Sequence, residues 1–221
     1  MLLREKVAAF DMDGTMIDSM PCWRYAYRDF LDECGLPVPE LIRHESAEKL
    51  YAQRACDLVF ETYGAQLHMS REQVWEGLLA QVTRHYAQDV CLRPGVLEYL
   101  DALRAQGVRV GVATATREDM ARVALERLDL ARRLDFGYFG EAIPKWNPEY
   151  FRRLAREQGA RPDQCAMFED AAYSMRGARA AGFHVYAIED SFAAPDRAEI
   201  LTLCDRYFTD YHELMSEENE R

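Results

Sequence analysis

Two aspartates one residue apart, Asp11 and Asp13, follow the apolar run 7–10 and are followed at once by Gly14 and Thr15. Carboxylates this close repel each other unless a cation or a proton lies between them. A hard divalent cation such as Mg²⁺ takes oxygen ligands and would keep Asp11 ionised. One carboxylate oxygen could then attack an incoming phosphate and form an acyl phosphate. The second aspartate could give a proton to the leaving group and later take one from water.

The same string also has a purely structural interpretation, because aspartate and glycine are common in turns and helix caps. From average residue frequencies, the pattern Asp-x-Asp-Gly-[Ser/Thr] arises by chance in a chain of this length on the order of 0.5% of the time. Its position directly after a run typical of a buried strand lowers that figure further. Gly14 also permits the backbone turn that Thr15 follows. We therefore interpret the aspartate pair as functional.

Other polar residues follow apolar runs elsewhere in the chain. Thr114 ends one run, Glu169 and Asp170 end another, and Lys145 lies in a loop between them. In an open parallel sheet, ligands bind beyond the carboxyl ends of the strands, where the strand order reverses. Lys145 is one of three lysines in a chain that otherwise uses arginine, and a compact ammonium suits such a site. These residues are predicted to converge with Asp11.

The elements that must position these residues are short apolar runs separated by helical patterns. The runs cover residues 6–11, 109–114, 165–170 and 184–189, with shorter ones near 134–139 and 206–208. Continuous apolar strands separated by helices indicate a parallel sheet covered on both faces. The predicted fold class is therefore α/β, with a doubly wound, Rossmann-like parallel sheet as its core.

Strand patterns are absent between Ser19 and about Leu92, and three amphipathic helical patterns replace them. The third opens with the capping box Ser70-x-x-Gln73. We predict an all-helical cap domain over residues 18–92, inserted after the first strand of a catalytic core formed by residues 1–17 and 93–221.

Composition excludes several classes of function. The net charge is −11, whereas nucleic acids and anionic membranes need a basic face, so neither is expected as a partner. The six cysteines are far apart with no Cys-x-x-Cys pair, and the five histidines match no ligand spacing, so the sequence indicates neither a zinc site nor a disulfide framework. No signal peptide or membrane-length run is evident, so cytoplasmic residence is the expectation. A monomer is the default, although the oligomeric state is left open.

Four segments resemble, in order, the four motifs of the haloacid dehalogenase (HAD) superfamily. They are DMDGTMIDS (11–19), VGVATAT (110–116), IPKWNPEYF (143–151) and AMFEDAAYSMRGARAAG (166–182). The helical insert is similar to the C1 cap of subfamily IA, whose members include phosphatases similar to β-phosphoglucomutase and phosphoglycolate phosphatase. The resemblance covers essentially the whole chain, and in this family the cap closes over the site and excludes bulk water.

The resemblance implies a role for each matching residue. Asp11 would be the nucleophile and Asp13 the general acid and base, with its backbone carbonyl also reaching the metal. The implied catalytic set is Asp11, Asp13, Thr114 and Lys145; the substrate-binding set is Gly14, Thr114, Ala115 and Lys145; the Mg²⁺ set is Asp11, Asp13, Glu169 and Asp170. Thr116, by contrast, is expected to cap the following helix in a capping box with Asp119.

Branches of the family differ in chemistry. Asp13 argues against dehalogenases, which lack the second aspartate, and against phosphonoacetaldehyde hydrolases, despite Lys49 in the cap as a candidate Schiff-base lysine. A mutase similar to β-phosphoglucomutase usually has a histidine four residues after the position of Ser19. Trp23 stands there instead, and its indole cannot accept a proton.

The prediction is therefore a Mg²⁺-dependent phosphomonoester hydrolase that acts on a small phosphorylated metabolite, such as a sugar phosphate, through an aspartyl-phosphate. Sugar phosphomutase activity is the first alternative. A non-catalytic, phospho-ligand-binding or regulatory protein is the second, although the intact Asp11, Asp13, Lys145 and Asp170 speak against it. Trp146, which stands where the third motif usually has proline, has either a packing or a substrate-contacting role.

Overall fold

The computed structural model describes residues 3–44, 52–140 and 142–216. The chain divides into two compact units. The first, called the α/β unit below, comprises Met1–Asp18 and Cys91–Arg221, and the second, called the helical unit, comprises Ser19–Val90. Lys49 lies outside the described residues.

Eight strands occur in the described residues. They are β1 (Val7–Phe10), β2 (Ile17–Asp18), β3 (Cys91–Leu92), β4 (Arg109–Thr114), β5 (Phe136–Phe139), β6 (Cys165–Glu169), β7 (His184–Ile188) and β8 (Arg206–Phe208). Six of them form one sheet in the order β5-β4-β1-β6-β7-β8, and every pairing in it is parallel. The order reverses at β1, since the chain first builds β4 and β5 on one side of it and then β6 to β8 on the other. The predicted doubly wound sheet is confirmed.

The domain boundaries differ slightly from the predicted ones after residues 17 and 92. Asp18, Cys91 and Leu92 belong to the α/β unit. The reason is a two-stranded antiparallel ribbon in which β2 pairs with β3, Ile17 with Leu92 and Asp18 with Cys91. The chain therefore leaves and rejoins this unit through one short ribbon.

Both faces of the central strands are buried, as parallel sheets require. Ala9 of β1 and Met167 of β6 lie in a core cluster with Phe151 and Met175. Side chains alternate along a strand, so Phe10 faces the other way. Its ring stacks on that of Phe168, with the ring centroids 4.2 Å apart.

The helices of the α/β unit cover these faces. In chain order after the helices described for the other unit, they are α5 (Val96–Ala105), α6 (Glu118–Arg127), α7 (Pro148–Glu157), α8 (Ala172–Ala181), α9 (Arg197–Leu203) and α10 (Tyr211–Ser216). Phe151 of α7 and Met175 of α8 belong to the first face. Tyr99 of α5 and Tyr211 of α10 pack around Phe10 on the second.

The helical unit contains α1 (Met20–Glu33), α2 (Glu40–His44), α3 (Ala52–Leu67) and α4 (Arg71–Gln88). Tyr27, Leu58 and Val82 are among its buried apolar residues. The predicted capping box at the start of α4 is present: the Ser70 hydroxyl accepts from Gln73 N–H, and the Gln73 side chain accepts from Ser70 N–H. Within the described ranges, no helix has both the length and the apolar character needed to cross a bilayer.

Candidate active site

The carboxyl ends of β1, β4 and β6 lie side by side at the point where the sheet order reverses. Phe10 pairs with Val112 on one side and with Phe168 on the other. The backbone N–H of Asp11 donates to the Phe168 carbonyl at 2.9 Å, which extends this alignment one residue past the strand end. The residues after these positions therefore meet at one edge of the sheet.

Lys145 occupies the centre of this edge. Its side chain is only 3% exposed, and Nζ donates to Asp11 Oδ1 and to Glu169 Oε2, each at 2.7 Å. The loop that carries it leads into α7, where the Asn147 side chain caps the helix by accepting from the Glu149 N–H at 3.0 Å. The ammonium is thereby held between two strand ends.

The loop that carries Lys145 packs closely against the backbone of α8. A Cβ atom built at Gly177 of α8 would lie 2.2 Å from the Lys145 carbonyl oxygen, closer than real Cβ atoms approach. Any other residue at this position would push α8 away from the loop. Gly177, which belongs to the fourth motif, is therefore required by packing and not by chemistry.

Three buried carboxylates lie together at this edge of the sheet, and two of them accept from Lys145. Asp11, Glu169 and Asp170 each offer an oxygen atom, and these atoms lie within 4.8 Å of one another. All three residues are buried. If all are ionised, the single ammonium of Lys145 leaves this group with two uncompensated negative charges. Oxygen ligands that carry two unbalanced negative charges fit a hard divalent cation.

The pKa values show the same charge imbalance. Burial raises the pKa of Asp11 to about 8, the Lys145 ammonium opposes that rise, and Glu169 and Asp13 add to it. Burial and the neighbouring carboxylates Glu169 and Asp11 raise the pKa of Asp170 well above its usual range. Burial alone would lower the pKa of Lys145, but Asp11 and Glu169 outweigh it and hold that pKa well above its ordinary value. A bound cation would relieve the cost of ionising both aspartates.

The backbone at Gly14 lies very close to the Asp170 carboxylate. Its φ is +79°, in the left-handed region, and a Cβ atom there would lie 2.6 Å from Asp170 Oδ2. The Gly14 N–H donates to the Ile17 carbonyl at 2.9 Å. The Gly14 amide thus closes the turn and the missing side chain makes room for Asp170, while its substrate-binding role stays a prediction. Next to it, the Thr15 hydroxyl donates to Asp170 Oδ1 at 3.1 Å.

Asp13 has a different environment from Asp11. The Thr116 hydroxyl donates to Asp13 Oδ2 at 2.7 Å, and the Thr116 N–H donates to Thr114 Oγ1 at 3.1 Å. The carboxylate of Asp13 is not among those of the three-carboxylate group. The two aspartates of the first motif thus point to different partners, Asp11 to Lys145 and Asp13 to Thr116.

The expectation that Thr116 caps the next helix is wrong. The N-cap residue of α6 is Arg117, which makes no side-chain capping bond, and Asp119 pairs with the Arg117 guanidinium. The Thr116 hydroxyl faces Asp13 instead because the tertiary contact to a carboxylate replaces the local one. A signal was available: Thr116 lies inside the second motif, two residues after Thr114.

Other residues singled out from the sequence lie as follows. Thr114 is 2% exposed at the end of β4, and Ala115 after it is exposed. Trp146, next to Lys145, is 61% exposed, so packing does not account for most of its surface. Trp23 lies in α1, where its indole N–H donates to the Tyr86 hydroxyl at 2.9 Å.

Comparisons with known proteins agree with this geometry. A family model described as haloacid dehalogenase-like hydrolase matches residues 5–182. A phosphoglycolate phosphatase of Rhodospirillum rubrum is 31% identical over 199 residues, covering 85% of this chain and 81% of that protein. Hexitol phosphatase B of Escherichia coli K12 is 30% identical over 179 residues, 79% of each protein. The crystal structure of CbbY from Rhodobacter sphaeroides in complex with phosphate has a TM-score of 0.71 at 19% identity, covers 95% of this chain and 96% of that one, and shows similarity of fold.

Proposed function

The chain belongs to the haloacid dehalogenase-like hydrolases and is a phosphatase, and on this premise we propose that it hydrolyses small phosphomonoesters with Mg²⁺ through an acyl phosphate on Asp11. The observation that carries the proposal is the separation of the two motif aspartates. Asp11 lies with Lys145 in the buried charged group, whereas Asp13 is held outside it by Thr116. That is the separation a nucleophile and a proton donor require.

In the first step, a carboxylate oxygen of Asp11 bonds to phosphorus while the bond from phosphorus to the substrate oxygen breaks. The departing oxygen takes a proton from Asp13. In the second step, Asp13 removes a proton from water, and the water oxygen attacks phosphorus. Inorganic phosphate leaves and the Asp11 carboxylate is restored.

The surrounding residues would orient these groups. Lys145 fixes the Asp11 carboxylate through Oδ1 and offers positive charge to the transferring phosphoryl group. The Thr114 hydroxyl and the backbone N–H of Ala115 are our proposed donors to phosphoryl oxygens. Thr116 holds the Asp13 carboxylate in one orientation, so the side chain does not have to reorient before the proton transfer.

The residues fit a Mg²⁺ ion. We propose Asp11, Asp170 and the backbone carbonyl of Asp13 as its principal ligands. When bound, Mg²⁺ supplies positive charge for the phosphoryl oxygens. Glu169 lies in the same group, but its oxygens already accept from Lys145 Nζ at 2.7 Å and from the Ala171 N–H at 3.3 Å. We therefore propose that Glu169 contributes charge to the metal site chiefly while holding Lys145.

For the substrate we propose a phosphorylated sugar, a sugar alcohol or a small phosphorylated acid. The support is the pair of relatives named for hexitol phosphates and phosphoglycolate. The net charge of −11 does not suit a nucleic-acid partner, and six cysteines outside any disulfide suit the reducing cytoplasm, where we propose that the protein acts as a monomer. A sugar phosphomutase is the second candidate; against it, the Trp23 indole N–H donates to the Tyr86 hydroxyl, and an indole cannot accept a proton.

The test is phosphate release from a panel of sugar phosphates, hexitol phosphates and phosphoglycolate, with and without Mg²⁺. Asp11→Asn should abolish release, whereas Asp18→Asn, an exposed aspartate of the same motif, should not. Interconversion of glucose 1-phosphate and glucose 6-phosphate without phosphate release would favour the mutase. Absence of both turnover and Mg²⁺ binding would favour a non-catalytic binding protein.

A further inference from the structure

A second group of side chains with metal-ligand chemistry lies in the helical unit and shares no residue with the first group. It consists of Cys22 in the first turn of α1, His85 in the last turn of α4, and Asp89 at the end of α4. One ligand atom from each, the thiol sulfur, an imidazole nitrogen and a carboxylate oxygen, lie within 4.8 Å of one another. The His85 Nδ1 atom is 3.0 Å from Asp89 Oδ1.

The donor set decides which metal it suits. Thiolate and imidazole ligands select Zn²⁺ and related transition metals, whereas Mg²⁺ takes oxygen ligands. Around a tetrahedral zinc, bonds of about 2.0 Å to nitrogen and oxygen and about 2.3 Å to sulfur place neighbouring ligand atoms roughly 3.3–3.6 Å apart. The His85 Nδ1–Asp89 Oδ1 separation of 3.0 Å is close to that range and the other pairs lie within 4.8 Å, so side-chain shifts of about 1 Å or less would complete the geometry.

The second ring nitrogen of His85 also has a carboxylate partner. His85 Nε2 lies 3.1 Å from Asp29 Oδ2. Asp29 lies two helical turns beyond Cys22 on the same side of α1, so α1 supplies both a ligand and the partner of the histidine. A carboxylate on the remote ring nitrogen, which fixes the tautomer and the ring orientation, is the usual companion of a metal-binding histidine.

The helices that carry the ligands are already fixed to each other. The Trp23 indole N–H donates to the Tyr86 hydroxyl at 2.9 Å, and each of these residues is next in sequence to a ligand. Tyr86 is fully buried, and Cys22 and His85 are half-buried, whereas Asp89 is exposed. The group is thus pre-organised on one side and open to water on the other, which leaves room for a fourth, water ligand.

We propose that Cys22, His85 and Asp89 form a binding site for Zn²⁺ or a similar transition-metal ion, with Asp29 orienting His85. The ligands lie close to the first and last residues of the helical unit, Ser19–Val90. A metal bound there would join the two ends of the unit and stabilise its folded form, because the ligands are scattered in the unfolded chain.

The test is a titration of the full chain with Co²⁺ in excess Mg²⁺, which occupies oxygen-ligand sites. We expect one equivalent of Co²⁺ to bind with a thiolate-to-cobalt charge-transfer band and visible bands typical of tetrahedral coordination, and Zn²⁺ to displace it. Carboxylate sites cannot produce the charge-transfer band. Zn²⁺ should also raise the midpoint of thermal unfolding.

Variants assign the site. Cys22→Ser should remove the charge-transfer band, and Cys34→Ser, at another half-buried thiol of the same unit, should keep it. Asp29→Asn should weaken binding about 10- to 100-fold, as loss of such a partner does elsewhere. Asp89→Asn alters an exposed side chain and should weaken binding without loss of fold, which guards against a misfolded Cys22 variant.

The contrary results are equally definite. A charge-transfer band that survives Cys22→Ser, or no band at all from the folded chain, would overturn the proposal. The contacts of His85 would then be those of an imidazolium ion between Asp29 and Asp89, whose hydrogen bonds raise its pKa although burial acts to lower it.

Discussion

Replacing Lys145 by methionine tests the charge balance of the active site. Methionine keeps much of the apolar stem and removes the ammonium that donates to Asp11 and Glu169 at 2.7 Å. A hydrogen bond to a charged group contributes about 1.5–3 kcal/mol, and removing one partner of a buried ion pair costs about 3–5 kcal/mol. Since the ammonium is only 3% exposed, we expect a loss of about 3–5 kcal/mol in the free energy of unfolding without metal.

The loss should depend on pH. The pKa of Asp11 is about 8 in the folded chain, above its ordinary value of 3.8, so the folded chain holds a proton there that the unfolded chain has released. The contribution of the Asp11 carboxyl to the free energy of unfolding therefore falls as the pH rises from about 4 towards 8. Lys145 opposes the rise in pKa, so without it the folded pKa moves higher and the fall continues above pH 8. The difference in free energy of unfolding between wild type and Lys145→Met should therefore increase from pH 6 to pH 9.

Urea unfolding in EDTA at these two pH values measures the gap, and in thermal unfolding the same loss corresponds to roughly 6–20 °C. Lys6→Met, at an exposed lysine of the same unit, is the matched control and should change little. A double-mutant cycle with Asp11→Asn should show coupling between the two residues. Equal stability of Lys145→Met and wild type, or a gap that does not change with pH, would refute the reasoning.

Two further substitutions test neighbouring parts of the site. Thr116→Val should lower kcat about 10- to 100-fold with little change in KM, because Asp13 loses a hydrogen bond to a charged group, and Thr116→Ser should restore it in steady-state assays. Gly14→Ala should raise the Mg²⁺ concentration for half-maximal activity, since the new Cβ displaces the Asp170 carboxylate; Gly107→Ala, with the same positive φ but nothing within 4 Å, should not. Normal kinetics for Thr116→Val, or equal effects of the two alanines, would contradict these roles.

Long buried strands could be predicted from the sequence because both of their faces are apolar. The run 109–114 coincides with β4, and the polar residues at the ends of the runs converge as expected. The β2–β3 ribbon could not be predicted, since two-residue strands carry no periodicity, and this displaced the domain boundaries.

Contacts between residues far apart in the chain could not be predicted from the sequence for a different reason. Local spacing favoured Thr116 as a helix cap, whereas its hydroxyl bonds Asp13, 103 residues away in the chain. In the same way, Cys22 and His85 belong to different helices and match no sequential ligand spacing, yet helix packing brings them together. Such groups depend on tertiary structure, which no local pattern records.

The central claim is that Asp11 carries the phosphoryl group during turnover. The most direct measurement is a single turnover with a radiolabelled phosphomonoester and Mg²⁺, quenched in acid and followed by peptide mapping. We predict transient label on the peptide that contains Asp11, and neither label nor phosphate release in Asp11→Asn. Label on another residue, or undiminished phosphate release by Asp11→Asn, would contradict the account.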